Sequence, residues 1–340
     1  MTFTTRLARA LAFSLCCASS LAMARAPAQL IDPEVDAVTE FADANAPAAP
    51  SAKATTQGRI CVANDVLDDI TFSWCMERGA TVDRTKILYY LHGAGGNERQ
   101  LLDSQWYAQV KQGWQAAKVT PPIAIAVSFG PRWTLSDLPS AYVAKHPALF
   151  DFFTTRLMPY LEKKITTTAL LTAAEKSANP LRVTRRLLMG ASMGSYNSAL
   201  LMERRGDLFK KVVLGCPGLF TSVNPFSSDP DIAAYVTRTR AIDKVVRAGL
   251  AILGADESGL TVDDWTRNDP IAQVTQLNAT SPALFVWYND GDQFGFAEGA
   301  TELSNSAALL GVSVIAPLHN SGGHCAIDPA IEAKIASFLQ

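Results

Sequence analysis

Residues 186–202 decide the fold, and they read Arg-Leu-Leu-Met-Gly-Ala-Ser-Met-Gly-Ser-Tyr-Asn-Ser-Ala-Leu-Leu-Met. The apolar run at 187–189 is typical of a buried strand, and the small and apolar residues after it lack proline, as a packed helix requires. Between them, residues 190–194 fit the pattern Gly-x-Ser-x-Gly. A strand, a tight turn and a helix around this pattern predict a nucleophile elbow that lifts the Ser192 hydroxyl above the sheet edge. The alternative is a small-residue turn of any α/β protein, so the rest of the chain must supply a base, an acid and an oxyanion donor.

Length and charge narrow the class of protein. The chain has 340 residues, 48% of them hydrophobic and 18% charged, and its formal net charge is −2. This is an ordinary globular composition, sufficient for one large domain or two small ones. The weak net charge gives no electrostatic reason to expect nucleic acid or an anionic membrane as a partner.

The N-terminus has the features of an export signal. Residues 1–24 carry two arginines near their start, Arg6 and Arg9. They continue as an apolar segment and end in Ala-Met-Ala, which predicts a signal peptide with its cleavage site. The apolar run is shorter than the roughly 20 residues that span a membrane, so we expect no stable membrane insertion. Residues 25–57 are rich in Ala, Pro, Asp and Thr, which predicts a disordered leader or linker. We therefore expect a folded domain at 58–340 in a secreted or periplasmic protein.

Four cysteines remain beyond the predicted signal peptide: Cys61, Cys75, Cys216 and Cys325. An even number in an exported protein suggests two disulfides. Cys61 and Cys75 lie in two short strand-like runs, with candidate turn residues between them at 64–65 and 68–69. This predicts a short disulfide-stapled N-terminal hairpin. Cys216 and Cys325 then pair by exclusion. A four-cysteine metal site is the weaker alternative, because no Cys-x-x-Cys pair is present.

From residue 86 onward, strand-like and helix-like runs alternate. The strand-like runs are 87–91, 123–129, 187–189, 212–215, 283–288 and 312–316, and the helix-like runs are 98–117, 150–165, 298–310 and 329–339. We expect Gly113 to interrupt the first of these helices. This alternation predicts an α/β fold with a mostly parallel, doubly wound sheet and helices on both faces. Ligands of such sheets bind at the carboxyl ends of the strands. The long insertion at 220–277 is a candidate cap over that edge.

A glycine-rich loop follows the strand at 87–91, and residues 92–96 read His-Gly-Ala-Gly-Gly. Glycines allow backbone N–H groups to turn inward around an anion. We expect the N–H of Met193, the residue after the nucleophile, to be one oxyanion donor and the N–H of Ala94 to be the second. A phosphate loop is the competing interpretation. It is disfavoured because no Gly-Lys-Ser/Thr follows and the Gly-x-Gly-x-x-Gly spacing fails at Glu98.

Two aspartates follow the strand at 283–288, and either Asp290 or Asp292 could orient a histidine and stabilise its protonated form. A solvated turn is the alternative, because Asp-Gly is a common turn pair. From the residues alone, both carboxylates qualify.

Four histidines are candidates for the base: His92, His146, His319 and His324. His92 opens the glycine loop, where we expect it to brace the backbone, and we expect His146 to be a surface residue. His319 is placed just after the last strand, with less reach. His324 follows Gly-Gly, which allows the backbone to fold back toward the elbow. His324 is therefore the predicted general base.

From about Lys86 to the C-terminus the sequence resembles the putative-esterase branch of the α/β-hydrolases, which contains esterase D-like enzymes, feruloyl esterases and secreted mycolyltransferases. The chain order Ser192, Asp292, His324 is that of α/β-hydrolases. The stretches that carry the resemblance are 89–96, 190–194, 268–270, 292–296 and 321–324. In that family the acid precedes an aromatic-Gly pair, which favours Asp292 over Asp290. The resemblance also puts the oxyanion residue of the glycine loop on Ala94.

Together these features predict an exported serine hydrolase that cleaves carboxylic esters. Ser192 is expected to attack the acyl carbon while His324 takes its proton, and water then deacylates the enzyme. No cofactor and no metal are expected, and the substrate class is a small-molecule or polysaccharide-linked ester. The alternatives are acyl transfer to a sugar or alcohol, a peptidase on the same fold, and a non-catalytic binding module.

Overall fold

The computed structural model describes residues 58–340 except 80–82, 84, 132, 138–148, 179–181, 220–261, 293 and 295. The predicted signal peptide and leader lie outside the described residues, as do His146 and residues 220–261 of the candidate cap. Residues 262–277 of that insertion are described, and they contribute buried side chains to the main hydrophobic core.

Eight strands form one sheet in the order β1-β2-β4-β3-β5-β6-β7-β8. Their bounds are β1 (Arg59–Leu67), β2 (Ile70–Glu77), β3 (Lys86–Leu91), β4 (Ile123–Ser128), β5 (Arg185–Ala191), β6 (Lys211–Gly215), β7 (Ala283–Asn289) and β8 (Val314–Asn320). β3 to β8 run parallel to one another, whereas β2 is antiparallel to both β1 and β4. The mostly parallel sheet predicted from the sequence is confirmed.

The helices pack on both faces of this sheet. They are α1 (Gln100–Asp103), α2 (Gln105–Ala116), α3 (Leu149–Asp151), α4 (Met158–Thr167), α5 (Ala173–Ala178), α6 (Met193–Arg205), α7 (Val262–Asn268), α8 (Pro270–Gln273), α9 (Phe296–Leu309) and α10 (Pro329–Phe338). A π-helix at Phe152–Leu157 leads into α4. Side chains of α4, α6 and α9 form the core on one face, and those of α2 and α10 form the core on the other. In the part of the chain that the structure describes, no helix has the length and apolarity needed to cross a membrane.

The N-terminal hairpin is formed as predicted. Cys61 lies opposite Cys75 in the β1–β2 pair, and the two are joined by a disulfide. The tight turn is at Asp68 and Asp69, whose φ angles of 51° and 65° are typical of a two-residue hairpin turn. The candidate turn at 64–65 is instead a bulge inside β1, where Asn64 has a φ of 54°.

The helix predicted over 98–117 is interrupted at Ser104 and not at Gly113. The Ser104 hydroxyl accepts a hydrogen bond from the Tyr107 N–H at 3.3 Å and so caps the start of α2. Gly113 stays inside α2 because α2 packs closely on α10. A side chain at Gly113 would bring its Cβ within 2.9 Å of the Ala336 Cβ. The glycine is therefore a contact point between two helices and not a break.

The strand predicted at 312–316 runs instead over Val314–Asn320. His319 lies within this strand, paired with Tyr288 of β7, so the prediction that it follows the strand is wrong. The strand continues through Pro317 because β8 is at the edge of the sheet, where a missing N–H breaks no necessary ladder bond. The β7–β8 register shifts at this point, between Phe285 and Trp287.

Glu203 on α6 is a buried acid that has no hydrogen-bond partner among the described residues. Its side chain is only 6% exposed, and neither carboxyl oxygen makes a hydrogen bond within the structure. Burial raises the pKa of the Glu203 carboxyl well above its usual value. The negative charge of Asp269 raises this pKa further, and Arg204 opposes the rise. Burial therefore favours the neutral form of the Glu203 carboxyl over its ionised form.

Glu203→Gln should stabilise the protein at alkaline pH. The pKa in the folded chain exceeds that in the unfolded chain, so the stability from neutral Glu203 is complete below the ordinary glutamate pKa. It is lost as the pH rises toward the raised pKa. Glutamine cannot ionise, so the variant escapes this loss. The Tm of the variant minus that of the wild type should therefore increase by a few degrees from pH 5 to pH 8, since each kcal/mol of unfolding free energy shifts Tm by about 2–4 °C. Thermal unfolding at both pH values measures it, with pH 5 as the internal control. An equal Tm difference at the two pH values would contradict the assignment.

Candidate active site

Ser192 occupies the sharp turn between β5 and α6. Its φ and ψ are 51° and −117°, an uncommon conformation for a residue with a side chain. The turn is held on both sides by the backbone. The Ser192 N–H donates to the Gly215 carbonyl at 3.0 Å, and its carbonyl accepts from the N–H groups of Ser195 and Tyr196 at 2.9 and 3.1 Å. Such strain persists where the surrounding structure fixes it, often at functional sites.

Steric constraints require glycine at both ends of the Gly-x-Ser-x-Gly pattern. A Cβ at Gly190 would overlap the carbonyl of Gly194, and a Cβ at Gly194 would overlap the carbonyl of Leu91 at the end of β3. Only glycine allows β5, β3 and the start of α6 to approach this closely. The elbow predicted from the sequence is therefore present as a backbone structure.

The structure brings Ser192, His324 and Asp292 into one chain of hydrogen bonds. The Nε2 atom of His324 lies 2.8 Å from the Oγ atom of Ser192, and its Nδ1 atom lies 2.7 Å from Oδ2 of Asp292. A carboxylate can only accept, so Nδ1 carries the proton and Nε2 is free to accept the Ser192 proton. The His324 and Asp292 side chains are 6% and 1% exposed, so the pair is shielded from water. The second carboxyl oxygen of Asp292 accepts from the Phe294 N–H at 2.8 Å.

The neighbouring aspartate serves a different histidine. Oδ1 of Asp290 lies 2.8 Å from Nδ1 of His319, and the two side chains are 65% and 55% exposed. The Nε2 atom of His319 lies 3.1 Å from the Tyr288 hydroxyl. The two aspartates that the sequence left as alternatives are thus paired with two different histidines, and only Asp292 is paired with His324.

Aromatic rings border the His324 imidazole. The ring centroids of Phe294 and Phe296 lie 5.0 and 5.5 Å from that of His324. Apolar walls of this kind exclude water and strengthen the polar contacts that they surround.

Cys216 and Cys325 are joined by a disulfide, as their pairing by exclusion predicted. The bond links the residue after His324 to the residue after β6, whose N–H donates to the Trp287 carbonyl at 2.8 Å. The ligand atoms of His324 and the two cysteines lie within 4.8 Å of one another. Because the two sulfurs are bonded to each other, they offer no thiolates to a metal. The cluster fastens the histidine loop to the sheet.

The glycine loop lies against Ser192. A Cβ at Gly93 would be 3.3 Å from the Cβ of Ser192. The loop is braced by two bonds that the sequence did not reveal. The Gly93 N–H donates to Oε1 of Gln100 at 3.0 Å, and the Gly95 N–H donates to the Pro131 carbonyl at 2.7 Å. The bond to Gln100 could not be predicted from the local sequence, because glutamine is common in helices.

The N–H groups of Ala94 and Met193 are the predicted oxyanion donors. Within the described residues, neither group donates a hydrogen bond to the protein. Met193 is the first residue of α6, where the backbone N–H groups of a helix point outward and its dipole is positive. This arrangement leaves two donors available close to Ser192.

His92 braces the glycine loop, as expected. Its Nδ1 lies 2.7 Å from the Gly93 carbonyl, which requires a proton on Nδ1. Its Nε2 therefore accepts from the Trp133 indole N–H at 2.9 Å, and the Ser128 hydroxyl lies 2.8 Å from the same atom. Burial lowers the pKa of His92 to about 4, although the bond to Gly93 opposes this. His92 is thus neutral. Its Nδ1 faces a backbone carbonyl, whereas the Nδ1 of His324 faces the carboxylate of Asp292.

Comparison with known proteins shows the family to which this sequence belongs. The sequence matches the family model described as "Putative esterase" over residues 79–321. No curated protein matches the chain. A ferulic acid esterase structure is 18% identical with a TM-score of 0.50, and the match covers 84% of this chain and 97% of that one. The structure of brefeldin A esterase, a bacterial homologue of human hormone-sensitive lipase, is 17% identical with a TM-score of 0.53, covering 89% and 82%.

A third similar structure is the fluorophosphonate-binding serine hydrolase F of Staphylococcus aureus. It is 17% identical with a TM-score of 0.50, and the match covers 83% of this chain and 98% of that one. Identities this low show a shared fold, which is the α/β-hydrolase fold. The family match covers well over half of the chain, so this protein belongs to the putative esterase family of α/β-hydrolases and is an esterase.

Proposed function

We propose that this protein is an exported serine hydrolase that cleaves carboxylic esters through Ser192, His324 and Asp292. The observation that carries the proposal is the continuous hydrogen-bond chain between these three side chains, at 2.8 and 2.7 Å. Both distances lie within the roughly 2.6–3.2 Å range over which a general base can act.

Each residue has a distinct task. The Nε2 atom of His324 removes the Ser192 proton as Oγ attacks the ester carbonyl carbon, and the proton then passes to the leaving alcohol. Asp292 keeps the proton on Nδ1 and stabilises the imidazolium. Water, activated by the same imidazole, then attacks the acyl-enzyme and releases the acid. The chemistry needs no cofactor.

The N–H groups of Ala94 and Met193 form the oxyanion hole in this proposal. The Gly93 backbone against Ser192 and the two braces of its loop support the assignment. Donors held rigidly in this way stabilise the tetrahedral intermediate without reorganisation, and one such donor contributes on the order of 10²–10³ in kcat.

Export to an oxidising compartment is part of the proposal. Two disulfides support it, because thiols of cytosolic proteins are kept reduced. The signal-like features of residues 1–24 support it independently. N-terminal sequencing of the exported protein should find a chain that begins at residue 25. An N-terminus at Met1 would contradict export by cleavage.

A panel of p-nitrophenyl and feruloyl esters of graded acyl length tests the activity. The purified protein should hydrolyse at least one member, and a burst of alcohol release is expected for esters whose acyl-enzyme is hydrolysed more slowly than it forms. An added sugar or alcohol acceptor tests acyl transfer in the same assay, since acyl product on the acceptor would appear in place of free acid. Failure to hydrolyse any ester, together with no reaction of Ser192 with a fluorophosphonate, would contradict the proposal.

Opening the Cys216–Cys325 disulfide should lower turnover before it unfolds the protein. The bond anchors the residue next to His324, so a looser loop holds the base less often within reach of Ser192. We expect Cys216→Ser with Cys325→Ser to lower kcat several-fold at temperatures where circular dichroism is unchanged.

The matched control is Cys61→Ser with Cys75→Ser. This pair belongs to the hairpin of β1 and β2, the strands at the far end of the sheet from β6 to β8. Its removal should lower Tm and leave kcat unchanged. Equal kcat values for both double variants and the wild type would show that the second disulfide has no part in positioning His324.

A further inference from the structure

Asn289 is bonded to both segments that carry the acid and the base of the proposed triad. It is the last residue of β7 and is completely buried. Its side-chain Nδ2 donates to the Gly323 carbonyl at 2.6 Å, one residue before His324. Its main-chain carbonyl accepts the Asp292 N–H at 3.2 Å. A single residue thus links the turn of Asp292 to the loop of His324.

The orientation of the Asn289 amide is determined by this contact. The Oδ1 atom is buried and has no hydrogen-bond partner among the residues that the structure describes. Rotating the amide by half a turn would place Oδ1 against the Gly323 carbonyl oxygen, and two acceptors repel at that distance. A buried acceptor without a partner is unfavourable for stability. Asn289 is present at this position although a side chain without the unpaired Oδ1 would avoid this loss of stability.

A second asparagine holds the far side of the same loop. Asn320 ends β8 directly opposite Asn289 in the β7–β8 register. Its Nδ2 donates to the Ala326 carbonyl at 2.8 Å, two residues after His324. The carbonyl of Asn320 accepts the Asp290 N–H at 3.1 Å. The loop around His324 is therefore held on both sides by side-chain amides from adjacent strand ends.

We propose that Asn289 is a positioning residue, which sets the distance between Asp292 and His324 and keeps His324 within reach of Ser192. The inference rests on the proposed function of these three residues. In this proposal Asn289 acts through the two segments that it joins, by its bonds to Gly323 and to Asp292. A displacement of about 1 Å at a reacting group can cost on the order of 100-fold in rate.

Asn289→Asp is the sharpest test, because the variant has nearly the same shape and its donor depends on pH. A protonated carboxyl can donate to the Gly323 carbonyl, whereas a carboxylate would face that carbonyl as a second acceptor. Asp290, Asp292 and His324 are the titratable groups of the two joined segments, and the wild type shares all three. The ratio of variant to wild-type kcat isolates the new ionisation.

We expect kcat of Asn289→Asp at pH 8 to fall on the order of 10- to 100-fold with KM nearly unchanged, and the ratio to recover as the pH is lowered. Asn289→Ala should lose on the order of 10-fold or more at every pH, since it has no donor. Asn278→Asp is the matched control. Asn278 is exposed and its side-chain oxygen accepts from Thr280, a role that a carboxylate can also fill. This control should keep the wild-type profile.

The inference is overturned if Asn289→Asp keeps kcat within twofold of the wild type with a constant ratio from pH 5 to pH 8. If Asn289→Ala does not fold, the aspartate variant alone decides, because each pH point is compared with the wild type under the same conditions. Ser192→Ala separates the two claims. Residual activity in Ser192→Ala overturns the proposed function, whereas an inactive Ser192→Ala with unaffected Asn289→Asp overturns only the positioning role.

Discussion

Ser192→Ala should abolish ester hydrolysis while leaving the fold intact. The Oγ of Ser192 is the atom that His324 is placed to deprotonate, at 2.8 Å. Loss of a triad nucleophile costs on the order of 10⁶-fold in rate in a serine protease that uses the same chemistry. Initial rates on the best ester of the panel measure the effect, and circular dichroism checks the fold.

Ser177→Ala is the matched control for this variant. Ser177 is exposed on α5, and within the described part of the chain its hydroxyl bonds only to the carbonyls of Ala173 and Ala174 in the preceding turn. This control should keep wild-type activity. Retention of more than a few per cent of activity in pure Ser192→Ala would rule out Ser192 as the nucleophile.

Asp292→Asn should lower kcat on the order of 10⁴-fold, as acid-to-amide changes do in other triads. The amide can present an N–H to Nδ1 of His324, which favours a proton on Nε2, and Nε2 can then no longer accept from Ser192.

Asp290→Asn is the comparison that makes this test specific. The two carboxylates are two residues apart in the same turn, but Asp290 is paired with the exposed His319. Its replacement should therefore cost far less than that of Asp292. The reverse ranking would show that Asp290 is the functional acid.

That the chain brings together Ser192, Asp292 and His324, the residues of the proposed triad, was predictable because parallel strands place their carboxyl ends along one edge of the sheet. Ser192, Asp292 and His324 each follow a strand that periodicity alone reveals. The choice between Asp290 and Asp292 was different, because both follow the same strand and both are turn residues. Only the family pattern of an acid before an aromatic-Gly pair separated them.

The residues that support the site were not predictable. Asn289 and Asn320 are amides at strand ends, where asparagine is common, and Gln100 is an ordinary helical residue. Their roles depend on which carbonyl or N–H of a distant loop lies beside them. That information exists only after the chain has folded, so no local pattern carries it.

The boundaries of two elements also depend on contacts that form only in the folded chain. Gly113 suggested a break in a helix, but it is needed for contact with Ala336, which is more than two hundred residues further along the chain. His319 was placed outside the last strand, yet the edge position of β8 allows the strand to continue through Pro317. In both cases tertiary packing overrides a local preference.

Mass spectrometry of the protein after reaction with a fluorophosphonate probe tests the central claim most directly. The probe reacts with a serine that a neighbouring base has activated, so it reports the nucleophile without knowledge of the substrate. Ser128 lies 2.8 Å from His92 and offers a second Ser–His pair for comparison. We predict one adduct per chain, on the peptide that contains Ser192, and much slower labelling in His324→Ala. An adduct on Ser128 or another serine, or no adduct on a protein that hydrolyses esters, would contradict the account.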